Sequence, residues 1–123
     1  MMPKPPLEKD VQRHVVQLYA AAGCWVYSLS QGYRPGGKGH GTTRQTKGLP
    51  DLYVMHSAGR VCWHETKRPG AVQSTGQRLF QCRANECNVD YVWGGYREAL
   101  VWLLGHGLWH LPAGVTLDQV APV

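Results

Sequence analysis

The apolar positions along the chain change their period several times, and each change marks an element. Over residues 7–22, Leu7, Val11, Val15, Leu18, Tyr19 and Ala22 recur every three or four positions. That spacing predicts an amphipathic helix, entered after Pro5-Pro6 and stopped by Gly23. Residues 24–30 have strand composition. Residues 51–57 and 60–67 predict two more strands, joined through a tight hairpin turn at Ala58-Gly59. Alternation along the second of these puts Val61, Trp63, Glu65 and Lys67 on one face and Cys62, His64 and Thr66 on the other. Pro69-Gly70 breaks the chain, and Ser74 opens a helix running to about residue 85 or 87, with Leu79, Phe80, Ala84 and Cys87 as its expected buried stripe. A short strand over residues 89–93 turns at Gly94-Gly95, and a helix over residues 97–104 ends at Gly105. Residues 108–111 have the composition of one further strand, and residues 112–123 form a tail. The order α-β-β-β-α-β-α predicts an α/β domain, a mixed central sheet flanked by helices.

Residues 31–48 break this pattern. They hold Gly32, Gly36, Gly37, Gly39, Gly41 and Gly48 among basic and hydroxyl residues, with almost nothing to bury. A loop this long inside a domain is usually functional or unstructured. Read functionally, its glycines let the backbone approach a ligand while Arg34, Lys38, His40, Arg44 and Lys47 meet phosphates. Read otherwise, it is a flexible surface connection. It lacks the Gly-Lys-Ser/Thr ending of the Walker phosphate loop.

Length and composition set limits on these readings. A chain of 123 residues, 43% of them hydrophobic, is expected to fold as one domain over residues 1–123 with a single core. The N-terminal Met-Met-Pro-Lys-Pro-Pro carries charge without a following apolar stretch, which argues against a signal peptide and for a cytoplasmic protein. No run approaches the length of a membrane span. Cys24, Cys62, Cys82 and Cys87 fall within predicted elements and are expected to be small buried apolar residues, since no Cys-x-x-Cys pair suggests zinc.

The net charge of +5 admits polyanionic partners, and its distribution is more telling. Between Arg34 and Arg83 stand nine basic residues, Arg68 and Arg78 among them, but only two acidic ones, Asp51 and Glu65. A surface that meets phosphates excludes carboxylates except where a metal neutralises them.

Phosphodiester hydrolysis requires deprotonation of an attacking water, stabilisation of a phosphorane-like charge and neutralisation of the leaving oxygen. Mg²⁺ or Mn²⁺ held by carboxylates serves the last two and acidifies its water. Asp51 and Glu65 supply carboxylates, the backbone carbonyl of Thr66 is placed for a third ligand, and Lys67 projects from the Glu65 face to orient water or stabilise charge. The competing reading of Glu65 and Lys67 is an edge-strand ion pair. Glu8 heads the buried stripe of the first helix, where it either completes the metal site or is a first-turn acid favoured by the helix dipole. Gln77 either faces the scissile phosphate or, as the last residue of Ser74-Thr75-Gly76-Gln77, closes a capping box.

Together Glu8, Gly48-Leu49-Pro50-Asp51, Glu65-Thr66-Lys67 and Ser74-x-x-Gln77 resemble the PD-(D/E)XK nucleases, and more narrowly the stand-alone phage-type virus-type replication-repair nuclease (VRR-NUC) domain, over about residues 7–95. That resemblance implies a restriction-endonuclease-like fold. It also implies a Mg²⁺- or Mn²⁺-dependent DNA endonuclease similar to Holliday junction resolvases, acting as a homodimer in a phage or its bacterial host, without a small-molecule cofactor. Glu8, Asp51, Glu65, Lys67 and Gln77 would match its active-site positions. Thr66 stands where an aliphatic residue is commoner, and nothing after Gly95 matches. A non-catalytic nucleic-acid-binding module and an RNA-directed nuclease of the same fold are the alternatives.

Overall fold

In the computed structural model, residues 6–29 and 47–122 are described. Helix α1 (Glu8–Ala21) buries Val11, Val15, Leu18 and Tyr19, the stripe that its periodicity predicts. Leu7 is an exception. It is the N-cap residue and 54% exposed, because the helix begins beyond the edge of the core. The chain turns at Gly23 into strand β1 (Cys24–Ser28) and re-enters at Lys47 to form β2 (Leu52–His56) and β3 (Arg60–Thr66). Helix α2 (Thr75–Glu86) carries the chain to β4 (Asp90–Gly94), and α3 (Tyr96–Gly105) and a short α4 (Leu117–Val120) follow.

The sheet has strand order β1-β2-β3-β4. The hairpin and β1 are antiparallel, whereas β4 runs parallel to β3 after the α2 crossover, so the sheet is mixed as predicted. One face is covered by α1 and α3, which also pack on each other. The core lies there, around Val15, Tyr19, Leu52, Val54, Cys62, Leu100 and Leu103. Burying Leu52, Leu100 and Leu103 contributes about 2 kcal/mol apiece. The other face is an aromatic layer, in which the Phe80 ring of α2 meets Trp63 and Tyr91, and Trp63 meets Tyr53.

Several expectations change. Residues 108–111 form no strand. The Leu108 N–H closes back on the Leu103 carbonyl, and Leu108, Trp109 and Leu111 cap the core as irregular chain. Helix α2 packs mainly on β4 and is narrow in its contact, so Ala84 is buried while Leu79, Cys82 and Cys87 are exposed. Only Cys24 and Cys62 behave as buried apolar cysteines. The tail is anchored: Arg97 Nη1 bonds the Ala121 carbonyl at 2.6 Å and pairs with Asp118 at 2.7 Å. No helix among the described residues is long and apolar enough to cross a membrane.

Candidate active site

Asp51 stands one residue before β2 and Glu65 one before the end of β3. Continuing the ladder from its last pair, Leu52 opposite His64, sets these two carboxylates side by side. The placement is reinforced twice. The Thr66 N–H donates to Asp51 Oδ2 at 2.9 Å, so the carboxylate of one strand is tied to the backbone of the next. Gly48, at φ +85°, presses its Cα against the backbone of Gly76, where any Cβ would overlap the first turn of α2. This contact locks the approach to Asp51 onto the helix that carries Gln77.

Gln77 closes the capping box that the sequence offered it, and its side-chain amide also reaches the candidate site. Its Oε1 accepts from the Ser74 N–H at 2.8 Å and its N–H donates to Ser74 Oγ at 3.2 Å, completing the capping box. Its Nε2 meanwhile donates to Glu65 Oε1 at 2.6 Å. Glu65 is 4% exposed, and its second oxygen, Oε2, is buried without a hydrogen-bond partner. Burial pushes the Glu65 carboxyl well above its ordinary range, and the adjoining Asp51 carboxylate pushes it further; Gln77 and Lys67 oppose the shift. A buried, half-satisfied acid against a second carboxylate is unfavourable by itself, and a cation between them would relieve both penalties.

Lys67 leaves the end of β3 with its N–H bonded to the Gly94 carbonyl at 3.0 Å. Its ammonium lies 3.5 Å from Glu8 Oε1 and 5.5 Å from the centre of the Trp93 ring. Glu8 is therefore brought to the site, but as an exposed counterion of Lys67 and not as part of the buried stripe. No cluster of three or more His, Cys, Asp or Glu side chains occurs among the described residues. The available donors are hard oxygens, from two carboxylates and the main chain. That set suits Mg²⁺ or Mn²⁺, which keep waters and bind through one or two carboxylates, and does not suit zinc. Of the expected phosphate contacts, Lys47, Arg68 and Arg78 are exposed beside Gly48, Lys67 and Gln77. Arg34, Lys38, His40 and Arg44 lie outside the described residues.

Sequence reasoning passed over the support behind Lys67. Its signal was the Cys62, His64, Thr66 alternation on an apolar face. His64 is fully buried, with Nε2–H donating to the Gly94 carbonyl at 3.0 Å and Nδ1 accepting from the Tyr19 hydroxyl at 2.7 Å. Burial lowers its pKa to about 4, so the ring is neutral. The same carbonyl thus receives the His64 ring and the Lys67 backbone, and fixes where Lys67 leaves the sheet.

A solved structure described as a VRR_NUC domain superposes on this chain with a TM-score of 0.59 and 22% sequence identity, covering 80% of this chain and 95% of that one. No protein-family profile and no curated protein matches the sequence. The chain has the fold of a VRR-NUC domain.

Proposed function

We propose that this protein is a Mg²⁺- or Mn²⁺-dependent DNA endonuclease that hydrolyses phosphodiester bonds at branched, nicked or four-way structures. The observation that carries the proposal is Glu65, buried beside Asp51 with one carboxylate oxygen unpartnered and Lys67 close by. Asp51, Glu65 and the Thr66 carbonyl would hold the ion. When bound, it supplies Lewis-acid stabilisation of phosphorane-like charge and acidifies a water. Gln77 restrains Glu65 so that Oε2 stays directed at the site. Lys67 orients the attacking water and stabilises negative charge on the phosphate, and Glu8 keeps its ammonium near the strand end. Lys47, Arg68 and Arg78 bind the flanking phosphates. The VRR-NUC fold supports the nuclease reading, and the preference for DNA comes with it.

The homodimer belongs to the same reading. On the edge strand β1, Trp25 is 59% and Tyr27 49% exposed, an apolar surface that pairing would cover. Purified protein incubated with plasmid, four-way junction and matched RNA duplex, with Mg²⁺, Mn²⁺ or EDTA, tests the proposal. Cleavage of DNA that EDTA abolishes and Lys67→Ala loses is expected. Cutting that survives EDTA, or salt-dependent binding without any cutting, would overturn it.

A further inference from the structure

Beside Lys67 a recess of about 580 Å³ opens between the start of α1, the chain leaving β3, the start of α3 and the C-terminal tail. Its size falls within the roughly 300–1,000 Å³ of small-ligand sites. Val11 and the rings of Trp93 and Tyr96 supply apolar walls, and Val120 and Ala121 close one side. Arg97 helps to line the recess but is committed to holding that tail, through Asp118 and the Ala121 carbonyl. The side chains of Arg68 and His14, by contrast, are exposed at its rim and make no ion pair or hydrogen bond among the described residues.

Aromatic walls with an unpaired guanidinium and an imidazole at the mouth match one chemistry, an aromatic base joined to a phosphate. Position narrows the source. Lys67 is shared between the recess and the candidate active site, so a strand whose phosphate reaches Lys67 passes its neighbouring nucleotide over this opening. A base can enter such a recess only when it is free of its partner and its stack.

We infer that the recess is a subsite for one unpaired nucleotide next to the cut phosphate, its base against Trp93 and Tyr96 and its phosphate on Arg68 and His14. The inference rests on the nuclease reading for the identity of the strand, but its readout does not need cleavage. The subsite selects sites where a nucleotide is unpaired or extruded over uniform duplex.

The test is 2-aminopurine fluorescence in EDTA, with the probe placed as the single unpaired base of an otherwise duplex DNA. Stacking in the recess quenches the probe. Tyr96→Ala should weaken binding of this DNA relative to fully paired DNA by about tenfold and remove the quench. Tyr96→Trp should restore both, which a merely structural role for Tyr96 would not do. Quenching that is absent, or unchanged in Tyr96→Ala, overturns the inference. So does equally tight binding of free 2-aminopurine nucleoside monophosphate, which would make the recess a site for soluble nucleotides. With Mg²⁺ added, equal cleavage of paired and unpaired DNA without quenching leaves a nuclease but no subsite. Tyr96-dependent quenching without cleavage in any metal leaves the subsite and overturns the nuclease.

Discussion

His64 and Glu65 are consecutive residues on one strand, 0% and 4% exposed, and they face opposite regions of the molecule. On the core side both ring nitrogens of His64 are partnered within the protein, by Tyr19 and the Gly94 carbonyl. On the other side Glu65 has one donor, one orphaned oxygen and a second carboxylate beside it. Asp90 shows that the fold can satisfy a carboxylate when nothing else is asked of it. At the far end of β4 it accepts from Trp102 Nε1 at 2.8 Å and lies 3.1 Å from His106 Nε2. Equal burial therefore has two meanings. A missing partner alone does not mark a ligand site, since Thr66 Oγ1 and the Tyr91 hydroxyl are also buried without one; what sets Glu65 apart is the second carboxylate beside it.

That contrast breaks first at the chemistry. Lys67→Ala should reduce metal-dependent cleavage by about 10²–10³-fold while leaving the melting temperature nearly unchanged, as read by nuclease assay and calorimetry. A comparable loss of both would place Lys67 in the scaffold instead. His64→Phe should do the reverse. It strands the Tyr19 hydroxyl in the core and should lower Tm by roughly 10 °C, with far less effect on activity per folded molecule.

Glu65→Gln separates the two neighbours again. It should abolish metal-dependent cleavage yet raise Tm of the metal-free protein by roughly 3–5 °C above the raised Glu65 pKa of about 8, where the ionised carboxyl would otherwise repel Asp51. A stable wild type that Gln at position 65 destabilises would mean that Glu65 is already satisfied.

The two neighbours should also differ in their response to pH. Glu65 titrates above its ordinary value of 4.5 in the fold, so its contribution is complete below that value and is lost as pH rises through the raised one. His64 titrates near 4 instead of 6.5, so its contribution is complete above 6.5 and is lost as pH falls toward 4. Metal-free protein should lose stability toward alkaline pH through Glu65 and toward acid through His64. Glu65→Gln should flatten the first limb and His64→Phe the second. Mg²⁺ should raise Tm more as pH increases, since it displaces the Glu65 proton. The smallest effect is expected at Gln77. Replacing it with Ala should cost about 1 kcal/mol from the capping box, read by chemical denaturation, and should reduce cleavage only a fewfold.

Much of this was legible in the sequence because it is local. A helical stripe from Val11 to Tyr19, a two-residue alternation in β3 and a capping pattern at Ser74 follow from backbone geometry over a few residues. Asp51, Glu65 and Lys67 inherit their positions from strands recognisable on those grounds. The exceptions are instructive in the same terms. Residues 108–111 have strand composition, but an apolar run pairs only if an edge is within reach, and here it caps the core beside α3. Leu79 and Cys87 follow the helical period, yet α2 meets too little of the sheet to bury them.

What no periodicity could reveal is which distant groups meet. Gln77 reaches Glu65 because Gly48 lets the chain before β2 close on the first turn of α2. Glu8 reaches Lys67 because α1 starts outside the core and above the end of β3. The recess at Trp93 and Tyr96 exists because Arg97 holds the tail across it. Each joins segments far apart in the chain, and such contacts depend on packing geometry that neighbouring residues do not encode. The residue types needed for phosphodiester chemistry are thus written in order along the chain, while their completeness, and the orphaned oxygen of Glu65 above all, arises only when the strands and helices close around them.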